Sequence, residues 1–301
     1  MKPQAHHRPG ESRWKGYLYL LPGFLIYLLF TLIPIIETVR TSFFDWGALG
    51  KSNIWVGLGN YIDLLNDSTF LKAFSNNLVF IIFYSIIPIM LGLFLASLLG
   101  RYPIPGFTFF RTVLFLPQVI SMVVVGVIWR WMFHPTTGPV NLLLGAIGLE
   151  EFQQAWLGSF AWALLSVGSV GSWVQYGFCM VLFLAGMQRI SEEYYEASSL
   201  DGANELQQFI HITVPGLKSE IGVALITTMI AALRVFDLVY ATTRGGPGES
   251  TLVTGFLIYR TAILNNDIGY GAAMATVLTI VILSLSLLIR KLMTERSDEA
   301  A

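Results

Sequence analysis

Four stretches of this chain, Tyr17–Ile36, Leu78–Gly100, Thr112–Trp129 and Ile268–Ile289, contain no Asp, Glu, Lys or Arg, and a fifth uncharged stretch runs from Phe152 to Gln188. Apolar runs of about 18 residues or more match the roughly 30 Å hydrocarbon layer of a bilayer, because a helix rises about 1.5 Å per residue. Each is therefore expected to form a membrane-crossing helix, the fifth over Phe160–Met187. A sixth span is expected over Ile221–Tyr240, whose first part, Ile221–Leu233, is uncharged before Arg234 and Asp237 intervene. The composition agrees: charged residues make up 12% of the chain, against about 25% in soluble domains, and the mean hydropathy is +0.65. The expected fold class is an all-α membrane protein with six transmembrane helices.

An even number of spans places both termini on one side. With the termini inside, 11 of the 18 Lys and Arg residues fall on inner segments, which is the bias that sets orientation in a cytoplasmic membrane. The first apolar run is longer than a signal-peptide core and no small-residue cleavage site follows Ile36, so it is read as a retained anchor. The expected organisation is a cytoplasmic tail over 1–16, a six-span domain over 17–292 and a cytoplasmic tail over 293–301, in a prokaryotic inner membrane. The first outer segment, Glu37 to Asn77, is expected to be a solvated polar loop, with Asn66-Asp67-Ser68 matching a glycosylation sequon. The inner link from Arg101 to Arg111, with Pro103, Pro105 and Gly106, is expected to be a tight turn.

Several chemistries lack their residues. A formal net charge of −1 offers no basic surface for a phosphate backbone, so nucleic-acid binding is not expected. Cys179 alone closes no intramolecular disulfide. His6, His7, His134 and His211 show no metal-ligand spacing. No nucleophile elbow, His-Glu-x-x-His pair or paired mid-span carboxylates point to a membrane enzyme. Asp45-Trp46-Gly47-Ala48-Leu49-Gly50-Lys51-Ser52 approaches a P-loop, but Asp45 stands at the first Gly position on an outer segment. Secondary transporters carry internal repeats and ion-binding carboxylates at the midplane; this alternative finds neither here.

The inner segment 188–220 differs from the other connections. Ser191 is placed to cap a helix that carries Glu192 and Glu193 in its first turn, where acids favour the helix dipole. Asp201-Gly202 supplies a turn that permits positive φ. Asn204 with Gln207 approximates a capping box for a second helix with Leu206, Phe209, Ile210 and Thr213 on one side, which Pro215 is expected to end. An amphipathic hairpin between membrane spans suits docking of a soluble partner, and equally a capped connector.

Glu196-Ala197-Ser198, three residues, Gly202, nine residues and Ile212-Thr213-Val214-Pro215 resemble the E-A-A, G, I-x-L-P signature of permease subunits of binding-protein-dependent ABC importers. Ser198 replaces the second Ala and Val214 the Leu. Asp201 and Ala203 beside Gly202 match the sugar-transporting branch. The resemblance runs from about Trp14 to Arg290. It includes, in order, Ser42-Phe43-Phe44-Asp45-Trp46, Val56-Gly57-Leu58-Gly59-Asn60-Tyr61, Phe115-Leu116-Pro117, Gly138-Pro139-Val140-Asn141 and Gly245-Gly246-Pro247, the last pointing to the MalF/UgpA-like branch.

The resemblance implies a pore built with a second permease, a dimer of cytoplasmic ATPase subunits that holds ATP and Mg, and an extracytoplasmic solute-binding protein that delivers a sugar. It implies no cofactor in this chain. Glu196, Ala197, Ser198, Asp201, Gly202, Ala203, Ile212 and Pro215 would then form the coupling element that meets the ATPase. In span four, Ser172, Trp173, Gln175, Tyr176 and Phe178 mix hydrogen-bonding groups with aromatic faces. By position relative to Glu196, the resemblance places Gln175 and Phe178, with Thr228, at the sugar path. Arg234 and Asp237, three apart, are expected to share one helical face and pair, either as a structural ion pair or snorkelling group near the outer interface, or in contact with the translocation path or an outer gate.

Overall fold

The computed structural model describes residues 13–47, 53–101 and 106–298. The N-terminal tail with His6 and His7, the Lys51-Ser52 end of the near P-loop match, Pro103 and Pro105, and the end of the C-terminal tail lie outside them.

Among the described residues, four helices are long and apolar enough to cross a bilayer: α1 (Tyr17–Thr41), α3 (Ser68–Gly100), α7 (Ala163–Met187) and α13 (Ile268–Met293). Two further helix pairs are long and apolar enough only when taken together, and both are bent. Helices α4 (Phe107–Val119) and α5 (Met122–Met132) meet at 97°, and α9 (Glu205–Gly216) and α10 (Lys218–Leu233) at 70°, so the spans number four, or six if each pair is one. The uninterrupted span expected over Thr112–Trp129 is thus corrected. Ile120 and Ser121 are extended, with ψ of 137° and 133°, and the Pro117 ring, which gives the helix no N–H, lies just before the break.

Prolines also shape the long helices. Each of three π-helical turns, Leu28–Leu32, Ile82–Ile86 and Phe209–Thr213, ends two residues before a proline, Pro34, Pro88 or Pro215. A proline ring crowds the carbonyl four residues earlier. Widening the turn around that carbonyl lets the helix continue instead of stopping. Pro215 therefore does not end its helix as expected. The chain passes through it to Gly216 and bends at Leu217.

The segment 37–77, expected outside, is not the plain solvated loop the sequence suggested. Strands β1 (Phe44–Asp45) and β2 (Ile54–Trp55) form an antiparallel pair with Asp45 opposite Ile54, followed by α2 (Gly59–Asn66). Asn60 fixes this unit by donating from Nδ2 to the carbonyls of Ser42 (2.9 Å) and Phe44 (3.0 Å). Asp67 of the sequon is the N-cap of α3, accepting from Thr69 N at 2.8 Å.

Helices α3 and α7 form the centre of the bundle, and glycines let them approach each other and α4. A Cβ on Gly92 of α3 would lie 2.6 Å from the Cβ of Cys179 on α7, and one on Gly177 of α7 would lie 2.6 Å from the Leu114 carbonyl on α4. Small residues allow such backbone approach where lipid supplies no hydrophobic drive between helices. The core around them includes Phe80, Tyr84, Met180 and Phe183, all buried.

Candidate functional site

The segment after α7 folds as the helix, turn and helix that its caps specify. Helix α8 (Glu192–Leu200) carries Glu192 and Glu193 in its first turn. Ser191 stands at the N-cap position, with φ −63° and ψ 136°, but its side chain makes no capping bond, contrary to expectation. The turn is a Schellman motif: Ala203 N donates to Ser198 O at 2.9 Å and Gly202 N to Ser199 O at 3.1 Å. Gly202 has φ +81° and nothing within 4 Å of an added Cβ. Backbone conformation, not space, calls for glycine there. Asn204 and Gln207 complete the expected capping box: Gln207 N donates to Asn204 Oδ1 at 2.9 Å, and Asn204 N to Gln207 Oε1 at 2.8 Å.

Helix α8 has two faces. Tyr194, Glu196, Ala197, Leu200 and Asp201 are exposed, Leu200 at 90%. Tyr195 and Ser198 turn inward and are half-buried. On α9, Leu206 and Ile210 are exposed and Thr213 is buried. The hairpin thus presents apolar and acidic side chains together on its exposed face. Ala203 and Ile212 are half-buried and Pro215 is exposed. The eight residues expected to form the coupling element therefore lie on one hairpin, with Glu196, Ala197, Asp201 and Gly202 on its open side.

The hairpin is anchored to the membrane helices at its base. A Cβ on Gly186 would lie 2.6 Å from Leu217, which is fully buried, and one on Gly216 would lie 2.7 Å from Ile190. Arg189 pairs with Glu220 at 3.3 Å. Between the hairpin and the C-terminal end of α3 lies a cavity of about 1620 Å³, lined by Phe94, Leu98, Leu184, Tyr195, Glu196 and Phe209 among others. Helix α9 runs into α10 through the bend at Leu217.

The residues assigned to a solute path occupy two settings. Gln175 on α7 is 6% exposed, Phe178 is half-buried, and Thr228 on α10 is fully buried with its hydroxyl donating to Ala224 O at 2.8 Å. All three lie on the adjacent central helices. Arg234 and Asp237 require correction. Helix α10 ends at Leu233, Arg234 is its C-cap, and α11 (Asp237–Thr242) begins anew after Phe236, whose φ is −140°. The expected single span to Tyr240 is broken, so the two side chains do not share a helical face and form no ion pair. Both are exposed.

What sequence reasoning missed is a set of buried amides. Asn77 donates from Nδ2 to Ala232 O at 2.9 Å and accepts at Oδ1 from Thr254 N at 2.8 Å, joining the broken end of α10 to the start of α12 (Thr254–Leu264). Asn76 donates to Leu252 O at 2.8 Å. Asn141 accepts from Trp156 Nε1 at 2.7 Å and donates to Pro135 O at 2.8 Å. Gln208, 2% exposed, donates from Nε2 to Ser199 Oγ at 2.8 Å and Ser198 Oγ at 2.9 Å. The available signal was an amide inside or beside an apolar helix, where an unpaired polar group is costly.

Comparison with known proteins places this architecture. Residues 88–297 match the family described as binding-protein-dependent transport system inner membrane component. The probable ABC transporter permease protein YurN of Bacillus subtilis is 40% identical over 284 residues, covering 94% of this chain and 97% of that protein. The multiple sugar-binding transport system permease protein MsmF of Streptococcus mutans is 32% identical, covering 93% and 96%. Arabinooligosaccharides transport system permease protein AraP of Bacillus subtilis is 34% identical, covering 92% and 87%. Among solved structures, a bacterial ABC transporter involved in the import of the acidic polysaccharide alginate superposes with a TM-score of 0.79 at 25% identity, covering 94% of this chain and 96% of that one. The chain therefore belongs to the binding-protein-dependent transport system inner membrane component family, and it is a multi-pass permease subunit of an ABC transporter.

Proposed function

We propose that this chain forms part of the pore of an ATP-driven importer that moves an oligosaccharide or related polyol across the cytoplasmic membrane by alternating access. Its partners are a second permease, a dimer of cytoplasmic ATPase subunits that binds ATP and Mg, and an extracytoplasmic solute-binding protein. Both termini face the cytoplasm. The observation that carries the reading is the hairpin 188–220, an exposed apolar and acidic surface rigidly based on the bent junction of α9 and α10. The sugar assignment is supported by relatives whose names specify arabinooligosaccharides and diacetylchitobiose.

In this mechanism the ATPase dimer closes on ATP and carries the outer face of α8 with it. Glu196 and Asp201 supply charge to that contact, Ala197 leaves room for close approach, and Gly202 keeps the turn in its left-handed conformation. The motion passes through the base at Leu217 and Gly216 to α10, which carries Thr228. Gln175, Phe178, Thr228, Arg234 and Asp237 then meet the solute as α7 and α10 part from their neighbours. Hydrolysis returns the ATPase dimer to its open form.

The test is reconstitution of the purified complex with its binding protein in liposomes. Labelled arabinooligosaccharides and diacetylchitobiose are offered with ATP. Uptake by wild type, and its loss in Gly202→Asp with ATP hydrolysis retained, is the expected result. Wild-type uptake by Gly202→Asp overturns the role of the hairpin.

A further inference from the structure

We propose that Gln208 is a positioning residue that latches the exposed helix α8 to α9, so that a push received on α8 reaches α10 instead of bending the hairpin. The proposal rests on the reading of the hairpin as the ATPase contact. No residue of α8 is fully buried. The helix therefore has little apolar packing to hold it against α9, and polar contacts must set its position.

Those contacts converge on one amide. The Gln208 side chain is 2% exposed, and its Nε2 donates to Ser199 Oγ at 2.8 Å, Ser198 Oγ at 2.9 Å and Tyr195 O at 3.3 Å. The two hydrogens of Nε2 go to the two serine oxygens, its nearest acceptors, with the Tyr195 carbonyl at the longer 3.3 Å. Both serine hydroxyls donate their own hydrogens to Tyr195 O, at 2.9 and 2.8 Å, which leaves their lone pairs for the amide. A second cross-link, Tyr195 OH to Thr213 Oγ1 at 2.9 Å, lies farther along α9. Buried, fully satisfied networks of this kind are rigid and specific in geometry, whereas a half-satisfied one is not.

The latch also accounts for the departure at Ser198 from the Ala of the resembled signature. An alanine there offers no acceptor to Gln208, whereas serine supplies one. Gln208 itself lies directly before the π turn Phe209–Thr213 and so couples α8 to the segment that leads through Pro215 into α10.

The experiment uses the complete complex with its ATPase and needs no substrate. A reporter cysteine, Tyr240→Cys, is placed on α11 at a position 37% exposed. Its labelling by a membrane-impermeant maleimide is compared without nucleotide and after trapping with ATP and vanadate. The parent chain with Cys179 alone gives the background. With Gln208 present, trapping changes the labelling rate. In Gln208→Leu the ATPase co-purifies in the wild-type ratio and hydrolyses ATP, while the trapping response falls about tenfold, within the range of ordinary allosteric couplings.

The double variant Ser198→Ala, Ser199→Ala is expected to lower the response in the same way. Adding Gln208→Leu to it lowers the response no further, as required of residues acting in one network. A merely structural role would instead reduce assembly and hydrolysis together with the response. If Gln208→Leu yields no protein, the serine variants decide. A wild-type trapping response in the latch variants, with the response lost in Gly202→Asp, overturns the latch and leaves the hairpin reading intact. A wild-type response in all of them, Gly202→Asp included, overturns both.

Discussion

Asn77 and Thr254 are held together across 177 positions of sequence by a 2.8 Å bond from the Thr254 amide to Asn77 Oδ1. The same side chain donates to the carbonyls of Ala232 (2.9 Å) and Leu233 (3.3 Å). It thereby satisfies the last turn of α10 and the first amide of α12 at once. A helix interrupted inside a membrane leaves backbone groups that water does not reach, and these must be paired by protein. Asn77 makes the break at Arg234 affordable.

Asn77→Leu should therefore destabilise the subunit by about 2–4 kcal/mol, because each buried backbone group left unpaired costs about 1–3 kcal/mol. The checking measurement is the thermal unfolding midpoint of the purified complex in detergent. Asn66→Leu serves as control, since Asn66 lies outside the spans and bonds only within its own exposed turn; that variant should leave the midpoint within error.

Gly92→Val should be damaging on the same scale as Asn77→Leu. The new Cβ would lie 2.6 Å from Cys179 Cβ and 2.8 Å from Met180 N, which is backbone and has no room to yield. Overpacking of a tight contact costs about 1–3 kcal/mol and occasionally more. The expected outcome is loss of monodisperse protein on size exclusion, with Gly23→Val, where an added Cβ meets nothing within 4 Å, eluting like wild type.

Arg234 and Asp237 should behave as independent residues. The helix end between them separates their faces. A double-mutant cycle with Arg234→Ala and Asp237→Ala, read on stability or on uptake, should give a coupling below about 0.5 kcal/mol. A coupling of 1 kcal/mol or more, on the order seen for contacting charges, would restore the pairing expected from their spacing.

Arg189→Gln should have little effect on stability. Its 3.3 Å pair with Glu220 holds an arginine whose side chain is 81% exposed, and exposed pairs contribute about 0–1 kcal/mol, screened further by salt. Midpoints of wild type and variant, compared at low and high salt, provide the check.

The parts of the fold legible in sequence were those governed by local rules. Uncharged length marked the spans, Asp201-Gly202 marked the Schellman turn, and Asn204 with Gln207 marked the capping box, because each depends on residues within a few positions. The breaks at Ile120 and Arg234 were not legible, since hydropathy records where a chain is apolar and not whether its helix is continuous. The unit around Asn60 was misjudged for a related reason. Its polar composition reads as loop, yet its asparagines are spent on holding backbone carbonyls. At the hairpin, residue order picked out side chains that stand on its exposed face, while the inward placement of Gln208 required knowing that α8 and α9 lie side by side. Ser198 looked like a neutral replacement until its hydroxyl was seen to accept from that amide.

The most direct test of the central claim is purification of the tagged chain from its native membrane in mild detergent, with quantitative mass spectrometry of what accompanies it, for wild type and Gly202→Asp. A permease subunit coupled through residues 188–220 should bring with it a second permease and an ATPase carrying a Walker motif, with the ATPase diminished or uncoupled in the variant. Recovery of the chain alone, from an extract in which other ABC complexes survive intact, would contradict the account.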